Sequence, residues 1–564
     1  MTMRKLPFWM LALALLSSCR SVAPAADPGG VAEAAISTDR LSEITRRLAS
    51  DEFEGRAMGT PGEERTIAYL IEQFRAAGLE PGGENSGWTQ QVPLIRTKLR
   101  KPAAISLDQA GQERQLRFPQ DIYFSTIRPV DRARIQAAPI VFVGYGVSAP
   151  ERGWDDFHGV DLRGKVALFL VNDPDFEAEA GEPVAGKFGG KAMTYYGRWS
   201  YKFEEAARRG AIAALVVHET EGAGYGWNVV ESPDGENYNI VLPPGAQQPP
   251  LLQGWIQRPL AVDLFRGAGL DFEAERRRAR TGDFRPVDLG ATLSADIGVD
   301  VARIMSRNVL GKLTGARYPK ETVSFAGHWD SFGIGPPDAQ GRRIRPGAVD
   351  DALGLAGLVE IARAFAAGPR PERTLVFAAW TAEERGLLGA EHYAANPLYP
   401  HETMAANLTM DVLQTAGPAR DVVSIGRGQN VLEDYLAEAA RGQGRHVTPE
   451  SHPERGLFYR ADHFALAKRG VPVLLLMALA GGNDLVKGGR EAGEKWVADY
   501  TANCYHQPCD AWSADWDLRG AAQDVALIHA IGSRLANIRE WPGWKQGSEF
   551  EAVRLESRTA RQRR

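Results

Sequence analysis

Between residues 308 and 538, short apolar runs alternate with stretches of helical periodicity, and this alternation leaves the chain few architectures. The runs at 322–326, 374–380, 407–410 and 471–479 are continuously apolar, as strands covered on both faces are. Residues 351–366, 387–395, 431–440 and 520–538 carry helical spacing, and 422–425 adds a further short strand. The pattern predicts an α/β fold with a central, mostly parallel twisted sheet covered by helices.

The rest of the chain is organised differently. Residues 38–94 read as a helix, a turn-rich stretch over 55–62 and a second helix over 63–77, in which Ile67, Leu70, Ile71 and Phe74 share a face. Gly78, Pro81, Gly82 and Gly83 end that helix. From 139 to 287, β-like runs at 139–143, 165–171 and 211–217 lie between glycine-rich loops and predict a separate β-rich module. The expected order is therefore residues 38–135 as the first part of a catalytic domain, 136–290 as an inserted module and 291–545 as the remaining catalytic domain. Residues 546–564 are expected to be a disordered basic tail.

Two ends of the argument concern location and partners. Arg4 and Lys5 precede an apolar run, 6–16, that is too short to span a bilayer. The sequence Leu16-Ser17-Ser18-Cys19 resembles a bacterial lipobox, which makes 1–19 a lipoprotein signal peptide, Cys19 the lipidated residue and 20–37 a flexible tether. The expectation is an exported protein, lipid-anchored in the cell envelope and facing the periplasm, with Arg20 pointing to the outer membrane. Lys plus Arg number 66 against 71 Asp plus Glu, a balance of -5 that gives no reason to expect nucleic acid as a partner. The two other cysteines, Cys504 and Cys509, flank His506, and three readings stand: a local disulfide, free thiols or metal ligation.

The polar residues that follow the apolar runs carry the chemistry. Gly327-His328-Trp329-Asp330 follows the run ending at 326, Glu383-Glu384 follows the run ending at 380, and Asp411 follows 407–410 directly. Asp350-Asp351 precedes a helix, where Asp351 reads as a possible cap, and Tyr505-His506 lies in a late loop. Each segment alone has an ordinary explanation. Together His328, Asp350, Glu384, Asp411 and His506 offer more imidazole and carboxylate donors than one structural site uses, and they suit zinc or another divalent first-row metal. Two ions sharing one bridging carboxylate would occupy all five and could activate a water between them.

In this order and context the segments resemble the M28 family of co-catalytic zinc exopeptidases. The resemblance extends to residues 48–56 and to Gly59-Thr60-Pro61-Gly62. Gly144-Tyr145-Gly146, the segment 162–166 and the helix 202–209 running into Gly210-Ala211 resemble a protease-associated domain. The family resemblance implies a zinc exopeptidase-like fold holding two Zn2+ per chain, with His328 and Asp411 on one ion, Glu384 and His506 on the other, and Asp350 bridging. It implies that Asp330 accepts a hydrogen bond from the free ring nitrogen of His328, and that Glu383 is the general base. Tyr505 is implied to steady the oxyanion, with Tyr459 as the competing candidate, while His463 is structural or substrate-lining. The implied reaction removes amino-terminal residues from peptides. Carboxypeptidase-type and cyclase-type enzymes, and metal-free binding homologues, share the resemblance, so the direction of cleavage rests on it alone.

Overall fold

The computed structural model describes Met1 and residues 36–562. The signal peptide, Cys19 and all but the end of the tether lie outside the described residues. Among the described residues no helix is long and apolar enough to cross a membrane.

One lobe is built on five strands: β1 (Val287–Leu313), β2 (Tyr318–His328), β3 (Arg373–Trp380), β4 (Met404–Met410) and β5 (Val473–Leu476). Their spatial order is β5-β4-β2-β3-β1, and all pairings are parallel except that of β1 with β3. Every residue of β3, β4 and β5 is buried, which is why these runs show no polar alternation. Three helices cover one face: α1 (Thr38–Leu48), α2 (Leu353–Ala367) and α3 (Arg519–Asn537), whose apolar side chains merge with Phe325, Phe377 and Leu408 in one core. From Leu353 to Ala362 α2 is buried on all sides, as expected of a helix held between a sheet and other helices. Helices Leu388–Ala395 and His463–Ala467 line the opposite face.

The second lobe is larger than the expected 136–290 module. Its core takes in Leu99, Ile105, Leu107, Ile122 and Phe124 on one side and Leu293 to Val299 on the other. Strands Arg132–Phe142, Val166–Leu170, Ala213–His218 and Leu252–Gln257 pair in parallel in that order, and Ile122–Ser125 closes the edge antiparallel. The expected boundary after 290 falls inside β1. This strand is 27 residues long; it pairs with Arg132–Phe142 and Ala104–Gln109 in the second lobe and with Thr89–Leu99 and β3 in the first. A continuous hydrogen-bonded strand leaves no linker at which one lobe could end.

Two further expectations differ from the structure. Residues 546–564 are not a disordered tail as far as they are described: helices Glu551–Glu556 and Arg558–Gln562 form there. Arg554 is buried and donates to the carbonyls of Met404, Ala405 and Pro542, so a basic side chain is satisfied by backbone rather than by water. The polar helix Gly489–Asn503 had no apolar stripe to announce it.

Within the second lobe, buried Asp156 accepts hydrogen bonds from the Val147 amide and the Trp154 indole. Burial pushes its carboxyl up from 3.8 to about 7. A raised folded-state value means that the folded chain retains a proton the unfolded chain has released. The associated stability is present in full below pH 3.8 and is lost as pH rises through about 7. The melting temperature is expected to fall across that window, and Asp156→Asn should flatten this part of the profile, measured by thermal unfolding at a series of pH values.

Candidate metal centre

The sheet brings the polar segments together at one edge. Ala326 of β2 pairs with Ala378 of β3 and with Thr409 of β4, so His328 at the end of β2, Glu383 and Glu384 beyond β3, and Asp411 beyond β4 emerge side by side. This is the carboxyl end of the parallel strands, where ligands gather in open α/β sheets. Asp350 sits in a wide turn, Ala348–Ala352, that leads into α2. His506 lies in the loop after Gly489–Asn503, with left-handed backbone (φ 63°), a conformation uncommon for residues other than glycine.

These five side chains form two adjoining groups of donors: His328 with Asp350 and Asp411, and Asp350 with Glu384 and His506, the donor atoms of each group lying within 4.8 Å of one another. His328 Nε2 is 3.0 Å from Asp350 Oδ1 and 3.7 Å from Asp411 Oδ1. His506 Nε2 is 3.3 Å from Asp350 Oδ2 and 3.2 Å from Glu384 Oε2. Asp350 therefore turns one oxygen to each imidazole.

Several observations bear on whether the donors fit metal ions. Asp411 Oδ1, Glu384 Oε1 and His506 Nε2 are buried without a hydrogen-bond partner, which is costly unless another ligand satisfies them. Burial, reinforced by neighbouring carboxylates, raises Glu383, Glu384 and Asp411 above the ordinary carboxylate range. Burial acts on Asp350 too, yet the hydrogen bond with His328 and the adjacent His506 imidazole hold it low. Packed anions, orphaned oxygens and two imidazoles are the donor chemistry of a pair of divalent cations of the zinc type.

The surrounding side chains hold this arrangement. Asp330 lies against His328, but the ring Nδ1 meets the Asp330 backbone carbonyl at 3.1 Å, with the nearer carboxylate oxygen at 3.7 Å. The Asp330 carboxylate instead accepts from the Glu383 amide at 2.9 Å, so it tethers the Glu383 loop. Asp351 does not cap α2: it is fully buried and accepts from the His328 amide. Tyr505 stacks beside His506, ring centroids 3.7 Å apart, and burial raises its phenol well above the usual range, which keeps it a donor. The Tyr459 hydroxyl donates to Glu549. His463 is fully buried with both ring nitrogens unpartnered and pushed down to about 3 by burial; it belongs to neither donor group. Cys504 and Cys509 form a disulfide that closes the loop carrying His506.

Two residues that sequence reasoning left without a role fix the site. Asp510 accepts from the amides of Val349 and Asp350 and from the Tyr500 hydroxyl, which sets the turn that presents Asp350. Arg56, fully buried, donates to the carbonyls of Trp329, Leu48, Pro346 and Gly347, clamping the His328 and Asp350 loops to the amino-terminal segment. Gly347 is required at that clamp: its φ is +56° and a Cβ would come 2.8 Å from the guanidinium and 2.3 Å from the Asp350 carbonyl oxygen. Arg56→Leu would leave the carbonyls of Trp329, Leu48 and Pro346 without a donor, whereas that of Gly347 keeps the Ala352 amide, and each loss costs about 1–3 kcal/mol. A drop in melting temperature of about 3–8 °C is expected by differential scanning calorimetry.

The fold and the paired donor groups define an α/β protein with a candidate binuclear metal centre. Residues 308–529 match the sequence model of Peptidase family M28. Among curated proteins, the chain is similar to a probable zinc metalloprotease of Pyrenophora teres f. teres (strain 0-1), 40% identical over 105 residues that cover 19% of this chain and 22% of that protein. It is also similar to carboxypeptidase Q of Rattus norvegicus, 37% identical over 89 residues, 16% of this chain and 17% of that protein. The chain thus spans about a fifth of the length of the curated relatives it matches. Among solved structures it is similar to an aminopeptidase from Aneurinibacillus sp. strain AM-1, with 19% identity, coverage of 90% and 95% and a TM-score of 0.46. A zinc aminopeptidase from Bacillus subtilis is similar at 17% identity, with coverage of 92% and 100% and a TM-score of 0.43.

Proposed function

We propose that this chain is a zinc-dependent exopeptidase that hydrolyses the amino-terminal peptide bond of its substrates. The observation that carries the reading is the shared Asp350, one oxygen toward His328 and the other toward His506, with Glu383 beside both donor groups but a member of neither. His328, Asp350 and Asp411 would hold one ion and Asp350, Glu384 and His506 the other. The Lewis acidity that polarises the scissile carbonyl and acidifies the attacking water would come from those ions when bound. Glu383 takes the proton from that water and returns it to the leaving amine, a double task for which an elevated carboxyl is suited. Tyr505 donates its phenolic proton in a hydrogen bond to the developing oxyanion. Arg56 and Asp510 keep the two loops in place throughout.

The second lobe is read as a protease-associated-type insertion, and the chain as an exported lipoprotein anchored through Cys19. The peptidase reading is tested by elemental analysis together with hydrolysis of a free-amine dipeptide and its N-acetylated form. Two zinc ions per chain and cleavage confined to the free amine are expected. A chelated, metal-free preparation with undiminished activity would overturn the metal mechanism, and equal cleavage of the acetylated form would overturn the amino-terminal direction.

A further inference from the structure

The two imidazoles of the donor groups are held by different means. The His328 side chain is 1% exposed and its Nδ1 meets the Asp330 carbonyl at 3.1 Å. A hydrogen bond on the far side of the ring thus sets its orientation, the usual arrangement for a histidine that binds metal. The His506 side chain is 31% exposed, and among the described residues no group pairs with its Nδ1. Rings stand where that hydrogen bond would be: Tyr505 with its centroid 3.7 Å away and Phe332 with its centroid 4.4 Å away. Tyr505 precedes His506 in the chain and travels with the same loop, so it does not tie the imidazole to the rest of the site. Phe332 does, because it follows the end of β2, four residues beyond His328.

Phe332 is held in turn. The Arg385 guanidinium carbon lies 4.8 Å from the Phe332 centroid and 5.2 Å from that of Tyr238, both within the range of cation–π attraction. Among the described residues the guanidinium makes no hydrogen bond or ion pair, so the two rings, rather than a carboxylate, fix its place. Tyr238 belongs to strand Glu236–Ile240, which falls in sequence within the expected inserted module yet pairs antiparallel with Thr89–Leu99, Tyr238 opposite Arg96. The Tyr238 ring packs against the small core of Val92, Leu94, Ala382 and Leu388, of which Ala382 and Leu388 flank the Glu383 loop. The Tyr238 hydroxyl donates to Glu236 at 3.0 Å. Arg385 directly follows Glu384 in the chain, so whatever fixes Arg385 also fixes the loop that presents Glu384.

We propose that Phe332 and Arg385 are positioning residues for the ion that Glu384 and His506 would hold: Tyr238, Arg385, Phe332 and His506 form one stack, with the segment 236–240 as its outer support. The inference rests on the reading of Asp350, Glu384 and His506 as zinc ligands. The stack does for His506 what the Asp330 carbonyl does for His328, limiting the orientations of a ring whose Nε2 must face Asp350 and Glu384. The π-electrons of Phe332 also favour a neighbouring imidazole that is electron-poor, as it becomes on binding a cation. The site on His328 and Asp411 has no part in the stack, so only one of the two ions should sense its loss.

The test is zinc binding to the metal-free, full-length protein, followed by competition with a chromophoric chelator, alongside thermal unfolding of the same metal-free samples. Two binding steps are expected in the parent, and His506→Ala identifies the step to which His506 contributes by weakening it. Phe332→Leu keeps an apolar side chain but removes the ring; it should weaken that same step by about tenfold, the lower end of what loss of a supporting partner costs, and leave the other step unchanged. Phe332→Tyr should restore the parental value. Arg385→Met and Tyr238→Leu should each weaken the same step by about two- to fivefold. Arg385→Met, at a partly exposed position, keeps the test open if Phe332→Leu does not fold. Parental affinity at both steps in Phe332→Leu and Arg385→Met, while His506→Ala weakens one, would overturn the positioning role and leave the zinc reading in place. Equal weakening of both steps with a lowered melting temperature of the metal-free protein would overturn it as well, since general loosening then accounts for the loss. If His506→Ala binds zinc as the parent does, the zinc reading of His506 falls and the positioning role with it.

Discussion

Glu383→Gln is expected to retain both zinc ions and to lower kcat by about 10²- to 10⁴-fold, the range spanned by general acid–base catalysis. The substitution preserves the size of the side chain and leaves the backbone amide free to donate to Asp330, so the loop keeps its shape. Neither donor group contains Glu383, and metal stoichiometry by elemental analysis should stay unchanged. What is lost is a group able to accept a proton from water and release it to the leaving amine. A variant with parental turnover would remove Glu383 from the mechanism, and loss of metal would make it a ligand.

Asp350→Ala is expected to have the other large effect, for a different reason. Asp350 is the one side chain common to both donor groups, and its removal leaves His328 with Asp411 and Glu384 with His506, two donors each. Two protein donors fall short of the three that open zinc sites use. Zinc content should fall well below the parental value, and activity with it, by at least about the same 10²- to 10⁴-fold. Removing Asp350 also takes away the carboxylate that lies against both imidazoles, which costs stability, so circular dichroism is used to separate metal loss from unfolding. Retention of both ions would mean that the bridge is not made by this carboxylate.

The sheet and the donor positions were legible in the sequence because buried parallel strands leave continuous apolar runs, and the polar residue just past each run marks the strand end. The 27-residue β1 was less visible. Its first half carries a clear alternation, with Leu289, Ala291, Leu293, Ala295, Ile297 and Val299 all buried, but exposed Asp300 to Arg303 interrupt the pattern where the strand passes between lobes. Arg56 and Asp510 could not be read because their partners are backbone groups, which every residue carries. The carboxylate of Asp330 illustrates the same limit: its partner is an amide of the Glu383 loop, not the nearby ring.

The path of β1 through both sheets has a practical consequence. Cutting out the second lobe would sever a beam that also supports β3, so its role has to be probed by exchanging single side chains rather than by excision. The same strand, hydrogen-bonded within both sheets, resists any hinge between the lobes.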